Sequence, residues 1–424
     1  MADLRSTFGD LFAAAIARAD PAMALAESLR QHPPPLPRPG GRLILIALGK
    51  AAVPMMRQAM RMLPPSDRAV AVTNPENLAE IPGASVLAGD HPVPNDMSLA
   101  AGAVLRQAVG DLTANDSVVA LISGGGSALA VAPAAGLTLA HKTAVTDYLL
   151  GAGLDIMQMN LIRQQLSELK GGGLLRSAYP APVCSYILSD VIGDDLRAIA
   201  SGPTVAPLGS RTMARDCLVA HDLWASLPGA VQTHLSAQDD PAQTLFDKGS
   251  VTAYLIGSNR HSLIAMKELA ARKGWSADIV DDALTGDVEA AAARIISAAQ
   301  ARVSNHPVAL IFGGETTVNL TGTGRGGRNQ ELALHVARLG RQTLSGSWAF
   351  LSAGTDGRDG PTDAAGGIVD GGTWQRILDK GGDPMALLRN NDSNRALRFA
   401  DDLFVTGGTG TNVADIQIML LPAR

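Results

Sequence analysis

The sequence is poor in cysteine, in aromatic residues and in positive charge. Cys184 and Cys217 are the only cysteines among 424 residues, and they lack CxxC spacing. Neither a disulfide framework nor a zinc site is therefore predicted. The formal net charge is -5, and aromatic residues make up 4% of the chain. Because nucleic-acid binding relies on a positive field, no nucleic-acid partner is expected.

Long apolar runs are also missing from the sequence. No segment approaches the roughly 20 apolar residues that a membrane-spanning helix requires, so no membrane partner is expected. The first twenty or so residues carry Asp3 and Asp10 and lack a sustained apolar core, which predicts an amphipathic helix instead of a signal peptide. Together with the scarcity of cysteine, these features predict a cytoplasmic protein.

The sequence is rich in glycine, with 45 residues, and in hydrophobic residues, which make up 46% of the chain. Its length exceeds the roughly 250 to 300 residues at which single hydrophobic cores stop growing, so two domains are predicted. Short apolar runs alternate with longer Ala- and Leu-rich segments, which predicts α/β units with parallel strands. The polar stretch 236–250 is the expected boundary, giving domains at 1–240 and 251–424, with the second set of strands beginning near Thr252.

Many glycines follow predicted strands directly, at the position where open α/β sheets bind ligands. One glycine loop follows the apolar run 117–122 and can present successive N–H groups to a phosphate or a carboxylate, although a flexible turn would use the same residues. Lys50 follows another strand; alone it would be interpreted as a surface lysine, but near such a loop it is a candidate partner for phosphate. The residues predicted to bind the anion are Ser123, Gly124, Gly125, Gly126 and Ser127.

The segment 313–331 contains the densest pattern of glycine and charge. It places Glu315 just past the core of a predicted strand, Arg325 and Arg328 among glycines, and Asn329 at the start of a helix. Arginine supplies forked donors that match carboxylate or phosphate oxygens, and a structural hairpin would not require them. Glu315, Arg325 and Asn329 are therefore predicted to bind a phosphate-bearing cofactor, and Arg328 is predicted to be catalytic.

Acidic residues follow two further predicted strands. Asp356, Asp359 and Asp363 lie in one glycine-rich loop, where their mutual repulsion predicts a bound cation unless the loop is simply a solvated acidic turn. Mg²⁺ held by one or two carboxylates plus phosphate oxygens is the usual solution, and Asp356 with Glu315 is the predicted ligand pair. Asp190, at the end of another strand, is a candidate general base or metal ligand.

Several common motifs are missing. There is no GxxxxGK[ST] P-loop, and no GxGxxG follows the first strand, where a dinucleotide fold would carry it. Ser127 lacks the second glycine of a GxSxG elbow, so a hydrolase triad is not predicted. His91 lies alone between a strand end and prolines, and it is interpreted as a structural residue.

Taken in order, these loops resemble those of one family, the glycerate 2-kinases whose C-terminal half is called the MOFRL domain. The resemblance covers nearly the whole chain and departs from the family pattern at Gly408 and Ala414. It implies an α/β fold with an N-terminal Rossmann-like parallel sheet flanked by helices, a smaller C-terminal α/β domain, and an active site in the cleft between them. The motifs that carry it are LGKAA, GDHPVPN, SGGGSAL, RQQLSELKGGG, LSDVIGDD, IASGPT, GGETTV, GRGGRNQE, GTDGRDGPTDAAGG and TGTNVAD.

The resemblance also implies a reaction, the ATP-dependent phosphorylation of the 2-hydroxyl of D-glycerate. It places Lys50, Arg328 and Asp356 in the cleft. Lys50 and Arg328 would neutralise the transferred phosphoryl group, Asp356 with Glu315 would hold Mg²⁺, and Asp190 would act as the base. The implied cofactors are ATP and Mg²⁺, and the implied partners are glycerate and nucleotide, in a monomer or homodimer.

Two alternative functions remain open from the sequence. The first is an NAD(P)H-dependent hydroxypyruvate reductase, a label that members of this family also carry; the missing GxGxxG speaks against it. The second is a non-catalytic protein that binds sugar acids, which would have no use for an acidic metal loop.

Overall fold

The computed structural model describes residues 2–238, 251–302 and 304–423 of the chain. The strands within this part of the chain are β1 (Leu43–Leu48), β2 (Arg68–Thr73), β3 (Ser85–Ala88), β4 (Ser117–Ile122), β5 (Val183–Leu188), β6 (Val251–Gly257), β7 (Ser276–Asp287), β8 (Val308–Thr317), β9 (Ala349–Gly354), β10 (Gly366–Asp370), β11 (Leu403–Phe404) and β12 (Asp415–Leu421).

The helices that accompany these strands range from a single turn to more than four turns. They are α1 (Ala2–Arg18), α2 (Pro21–Gln31), α3 (Ala52–Met62), α4 (Asp96–Val109), α5 (Gly126–Leu129), α6 (Leu139–Gly151), α7 (Ile156–Gln165), α8 (Gly173–Ala178), α9 (Arg211–Ala220), α10 (Gly229–Ser236), α11 (Asn259–Arg272), α12 (Val288–Gln300), α13 (Arg328–Thr343), α14 (Thr373–Asp379), α15 (Pro384–Arg389) and α16 (Ser393–Ala400). Among the described residues, no helix combines the length and the apolar character that crossing a membrane requires.

The chain between Pro21 and Ile256 forms one compact unit around a six-stranded sheet of order β3-β2-β1-β4-β5-β6. The pairings among β1 to β5 are parallel. Every residue of β1, β4 and β5 is buried, because helices cover both faces of the sheet. These near-continuous apolar runs are the ones that predicted doubly covered strands, and the α/β prediction with a parallel sheet is confirmed.

The helix α1 and the chain from Gly257 onward form a second compact unit around a sheet of order β11-β10-β9-β12-β8-β7. This sheet is mixed. The pair β7 and β8 is parallel, whereas β12 lies antiparallel between β8 and β9. The predicted α/β class of this half of the chain is thus observed, with an internal strand order that the sequence pattern did not specify.

Two segments differ from the predicted division at residues 240 and 251. The apolar face of α1, including Phe8, packs into a core with Leu263 and Ile311 of the second unit. The strand β6, expected to open the second domain, is instead the edge strand beside β5, where Tyr254 stacks on Tyr186. Periodicity identifies an amphipathic helix or a strand, but it does not tell which sheet the element joins. Most of the polar stretch 236–250 lies outside the described residues.

Candidate functional site

The loops that follow β1 and β4 pack against each other at the carboxyl ends of these strands. The Lys50 amide donates to the Gly124 carbonyl at 2.9 Å, and the Ser123 hydroxyl accepts from the Ala51 amide at 3.0 Å. The close approach requires glycine at position 49. Gly49 has φ +126°, and a Cβ there would lie 2.2 Å from Ser123 Oγ. The turn that carries Lys50 is therefore fixed by the neighbouring glycine loop.

The glycine loop offers free backbone donors beside the lysine side chain. Gly125 has φ +82°, and a Cβ there would lie 3.1 Å from Lys50 Cγ, so the lysine side chain passes over this glycine. The N–H groups of Gly124, Gly125, Gly126 and Ser127 find no acceptor in the described part of the chain. Consecutive unpaired amides beside an ammonium group are suited to an anion. The four-residue helix α5 that follows is too short to add a dipole of its own.

Asp190 and His91 complete this cluster. A Cβ on Gly124 would lie 1.9 Å from Asp190 Oδ2, so the carboxylate packs directly on the glycine. A Cβ on Gly125 would lie 3.5 Å from Cδ2 of the His91 ring. Partial desolvation and the positive charge of Lys50 lower the pKa of His91. The sequence interpretation left His91 out of the chemistry, although its position just after β3 is the same signal that selected Lys50 and Asp190.

Ser127, at the far end of the loop, contacts a different set of residues. Its Oγ accepts from Lys170 Nζ at 2.6 Å and lies 3.0 Å from Ser201 Oγ. Neither Lys170 nor Ser201 was among the predicted site residues. Both lie in motifs that support the family resemblance. Nothing in their local sequence indicates that their side chains contact Ser127.

In the second unit, Arg328 opens α13 and is held by two carboxylates. Its Nε and Nη2 donate to Asp415 at 2.5 and 3.0 Å, and its Nη1 lies 2.8 Å from Glu315 Oε1. Burial alone would lower the pKa of Arg328, but the bidentate contact with buried Asp415 raises it and keeps the guanidinium charged. Asp415 was not predicted, and its signal is an acidic residue at the first position of β12.

The three aspartates of the loop after β9 have different surroundings. Asp356 is half-buried, and its Oδ1 accepts from the Arg358 amide at 2.9 Å. A Cβ on Gly354 would lie 3.2 Å from Asp356 Oδ1 and 3.5 Å from Asp415 Oδ1, which places Asp356 near the partner of Arg328. Asp359 is buried and caps α13, because it accepts the amides at positions 329 and 330 at 3.1 and 2.8 Å. Asp363 is exposed.

Two of the residues predicted to bind a cofactor have contacts of a structural kind. The Arg325 Nε donates to the Pro361 carbonyl at 2.8 Å, away from the carboxylates that hold Arg328. Asn329 is 1% exposed. Its side-chain Nδ2 donates to Asp359 Oδ1 at 3.3 Å, and its Oδ1 accepts from the Ser352 hydroxyl at 2.6 Å. The structure therefore brings Glu315, Arg328 and Asp356 together and does not add Arg325 or Asn329 to them. A cofactor contact at the latter two stays a prediction.

Comparisons with known proteins agree with the motifs described above. The family described as a domain of unknown function (DUF4147) matches residues 7–236, and the MOFRL family matches residues 308–415. A glycerate 2-kinase of Pyrococcus horikoshii is 38% identical over 394 residues, covering 91% of this chain and 88% of that protein. A protein of Agrobacterium vitis, 40% identical over 389 residues and matched along 90% of this chain and 100% of its own length, carries a provisional hydroxypyruvate reductase name.

The fold is also similar to a solved structure. The crystal structure of a glycerate kinase from Thermotoga maritima matches with a TM-score of 0.90 and 35% identity, covering 99% of this chain and 100% of that chain. The similarity thus extends over both family domains and over the loops that carry the site residues. The chain therefore belongs to the family of glycerate 2-kinases, with a DUF4147 domain followed by a MOFRL domain.

Proposed function

We propose that this protein is an ATP-dependent glycerate 2-kinase that phosphorylates the 2-hydroxyl of D-glycerate. The observation that carries the proposal is the cluster of Lys50, the 123–127 loop and Asp190 at the carboxyl ends of β1, β4 and β5. Phosphoryl transfer depends mainly on positioning and on neutralising charge. An ammonium group, unpaired amides and a carboxylate are groups suited to this reaction, and two relatives that are 38% identical to this chain are named glycerate 2-kinase and D-glycerate 2-kinase.

The residues of the first unit would act on the phosphoryl group and on the attacking hydroxyl. Lys50 neutralises the transferred phosphoryl group, and the loop amides cradle an anionic group. Asp190 accepts the proton of the 2-hydroxyl while the oxygen bonds to the γ-phosphorus of ATP and ADP leaves with the electrons of the broken P–O bond. The lowered pKa of His91 favours the uncharged imidazole beside Lys50.

In the second unit, Arg328 would bind substrate oxygens. The contact with Asp415 occupies the Nε and Nη2 edge of the guanidinium and fixes its plane. The remaining donors are left for a carboxylate or a phosphate. The ion pair with Glu315 is half exposed, so a substrate oxygen can replace it at little cost.

The chemistry of Asp356 fits a magnesium ligand better than that of Glu315. No group of three or more histidine, cysteine or acidic side chains suited to a metal occurs within the described residues. Mg²⁺ in phosphate-binding sites needs only one or two carboxylates, and Asp356 Oδ2 has no partner in the described chain, whereas Glu315 is paired with Arg328. When bound, Mg²⁺ would neutralise charge on the phosphate oxygens.

The proposal is tested by identifying the product directly. The purified protein is incubated with ATP, Mg²⁺ and D-glycerate, and ³¹P and ¹H NMR spectra are recorded. We expect ADP and 2-phosphoglycerate in equal amounts. A parallel reaction with NADH and hydroxypyruvate, without ATP, should show no loss of nicotinamide absorbance. Oxidation of NADH there, without phosphoglycerate in the first reaction, would support a reductase and reject the kinase.

A further inference from the structure

A buried lysine and a partly buried arginine of the first unit converge on one hydroxyl group. Lys170 is 4% exposed, and its Nζ donates to Ser127 Oγ at 2.6 Å. Arg163 donates to the same oxygen from Nη2 at 3.3 Å. A serine hydroxyl carries no charge to pair with an ammonium group and a guanidinium group, so the arrangement needs a further explanation.

The hydrogen-bonding capacity of the hydroxyls is used up by this arrangement. Ser127 Oγ accepts from both cations and must therefore donate its proton to Ser201 Oγ at 3.0 Å. Ser201 in turn donates to Asn160 Oδ1 at 3.1 Å. The remaining N–H donors of Lys170 and Arg163 have no acceptor in the part of the chain that the structure describes. These donors are available to an added oxygen ligand.

Negative charge is missing from the surroundings of these cations. Neither Lys170 nor Arg163 forms an ion pair with any described residue, and the ammonium group of a second buried lysine, Lys142, donates only to the Leu166 carbonyl, at 2.9 Å. Burial and the charges of Arg163 and Lys142 lower the pKa of Lys170 well below its usual value. Buried charges are normally paired, because an unpaired charge loses its hydration without compensation. An anion would supply the missing pair.

The backbone holds this arrangement in place at some cost. Gly171 and Gly172 follow Lys170 with φ of +54° and +74°, and their amides donate to the carbonyls of Ser201 and Gly202 at 2.9 and 2.8 Å. Ser201 itself has φ +59°, a strained value for a residue with a side chain. With the backbone in this conformation, the Ser201 hydroxyl lies 3.0 Å from Ser127 Oγ.

We infer that Ser127, Arg163, Lys170 and Ser201 form a binding site for an oxyanion, which a small-molecule ligand presents as a carboxylate or a phosphoryl group. The inference deepens the proposed function and rests on it for the choice of probes. Forked guanidinium donors beside an ammonium group match the oxygens of either anion. A serine hydroxyl can also rotate and exchange its present hydrogen bond for one that it donates to the anion.

The test is the binding of D-glycerate, inorganic phosphate and ADP to the full-length wild-type protein and to Lys170→Met and Arg163→Gln, measured by isothermal titration calorimetry. Loss of a charged hydrogen bond should weaken binding of the affected probe about tenfold to a hundredfold in each variant. Weaker binding of D-glycerate alone assigns the carboxylate, and weaker binding of phosphate and ADP assigns the phosphoryl group. Circular dichroism verifies that each variant is folded.

The matched control is Lys142→Met, another buried lysine whose ammonium group contacts a carbonyl and not Ser127. Its affinity for the same probes should change much less than that of Lys170→Met or Arg163→Gln. The inference fails if Lys170→Met and Arg163→Gln both bind every probe as the wild type does, or if the wild type binds none. If the wild type binds the probes and the two site variants bind them more weakly, but no 2-phosphoglycerate forms, the proposed kinase function fails and the anion site stands.

Discussion

Lys50 is the residue on which the proposed chemistry depends most directly. Its side chain passes over Gly125 of the 123–127 loop, and its backbone amide donates to the Gly124 carbonyl. Lys50→Ala should therefore lower kcat by about a hundredfold to a thousandfold and leave the fold intact. Steady-state kinetics and circular dichroism measure the two effects, with the exposed Lys267→Ala as the control. A near-normal kcat would remove Lys50 from the mechanism.

Lys142 links the stability of the first unit to pH. Burial lowers the pKa of this lysine from 10.5 to about 7, and Arg163 contributes to the shift. Between these values the unfolded chain binds more protons than the folded one, so the free energy of unfolding rises with pH, by at most about 1.4 kcal/mol per pH unit for one group. Other groups in this electrostatic neighbourhood are Lys170 and His234.

Lys142→Met should flatten this dependence. The variant gains stability relative to the wild type at neutral pH, and the difference shrinks as the pH rises toward the usual pKa of lysine. Urea unfolding at about pH 7 and pH 9, without phosphate or carboxylate buffers, measures it. Equal pH slopes for the two proteins would show that Lys142 is charged in the folded state.

Single residues differ in how far the sequence identifies them. Lys50 and Asp190 could be predicted because each follows an apolar run that forms a central strand. Lys170 and Asp415 could not, because their significance depends on partners distant in sequence, Ser127 and Arg328. Asp359 has the same local setting as Asp356 but caps a helix, a difference that only the packing of α13 decides.

At the scale of elements, the turn between β1 and α3 is set by one glycine. Gly49→Ala would place a methyl group against Ser123 and force an unfavourable φ, so we expect a loss of about 3 kcal/mol in the free energy of unfolding and a large loss of activity. Gly136→Ala is the control, since Gly136 has φ +80° with nothing within 4 Å of its Cβ position. That variant should lose only about 1 kcal/mol. Equal losses measured by urea unfolding would contradict the packing argument.

The elements that the sequence predicted are the buried ones. Central strands such as β4 and β8 are apolar throughout most of their length and stand out in the sequence. The edge strand β7 carries several acidic residues, is largely exposed, and has register shifts around Asp281, so it lacks a clear period. The antiparallel pairing of β12 with β8 and β9 could not be predicted from periodicity either, because the same apolar sequence fits a parallel or an antiparallel strand.

At the scale of the whole molecule, the helix α1 stabilises a sheet formed by a distant part of the chain. Phe8 is fully buried against Leu263 and Ile311, so Phe8→Ala should lower the free energy of unfolding of this unit by about 3 kcal/mol or more. Urea unfolding monitored by tryptophan fluorescence measures this loss of stability, because three of the four tryptophans lie in this unit, at positions 275, 348 and 374. Ser6→Ala, on the exposed side of the same helix, should change stability little. Similar midpoints for both variants would contradict the assigned packing.

The number of units and their class could be predicted from chain length and from the alternation of apolar and helical segments. The path of the chain could not. A contiguous division is the simplest interpretation of a sequence, and nothing in residues 2–18 indicates that their apolar face lies on the second sheet and not the first.

This path has a consequence for the order in which the nascent chain becomes structured. The first unit has all its strands once β6 has left the ribosome, but the other sheet lacks its inner strand β12 until almost everything else has been translated. The apolar face of α1 packs with residues of α11 and β8, which are translated more than 200 residues after it. During synthesis this apolar face therefore stays exposed on the nascent chain until distant residues are translated, and chaperones can bind it in that interval.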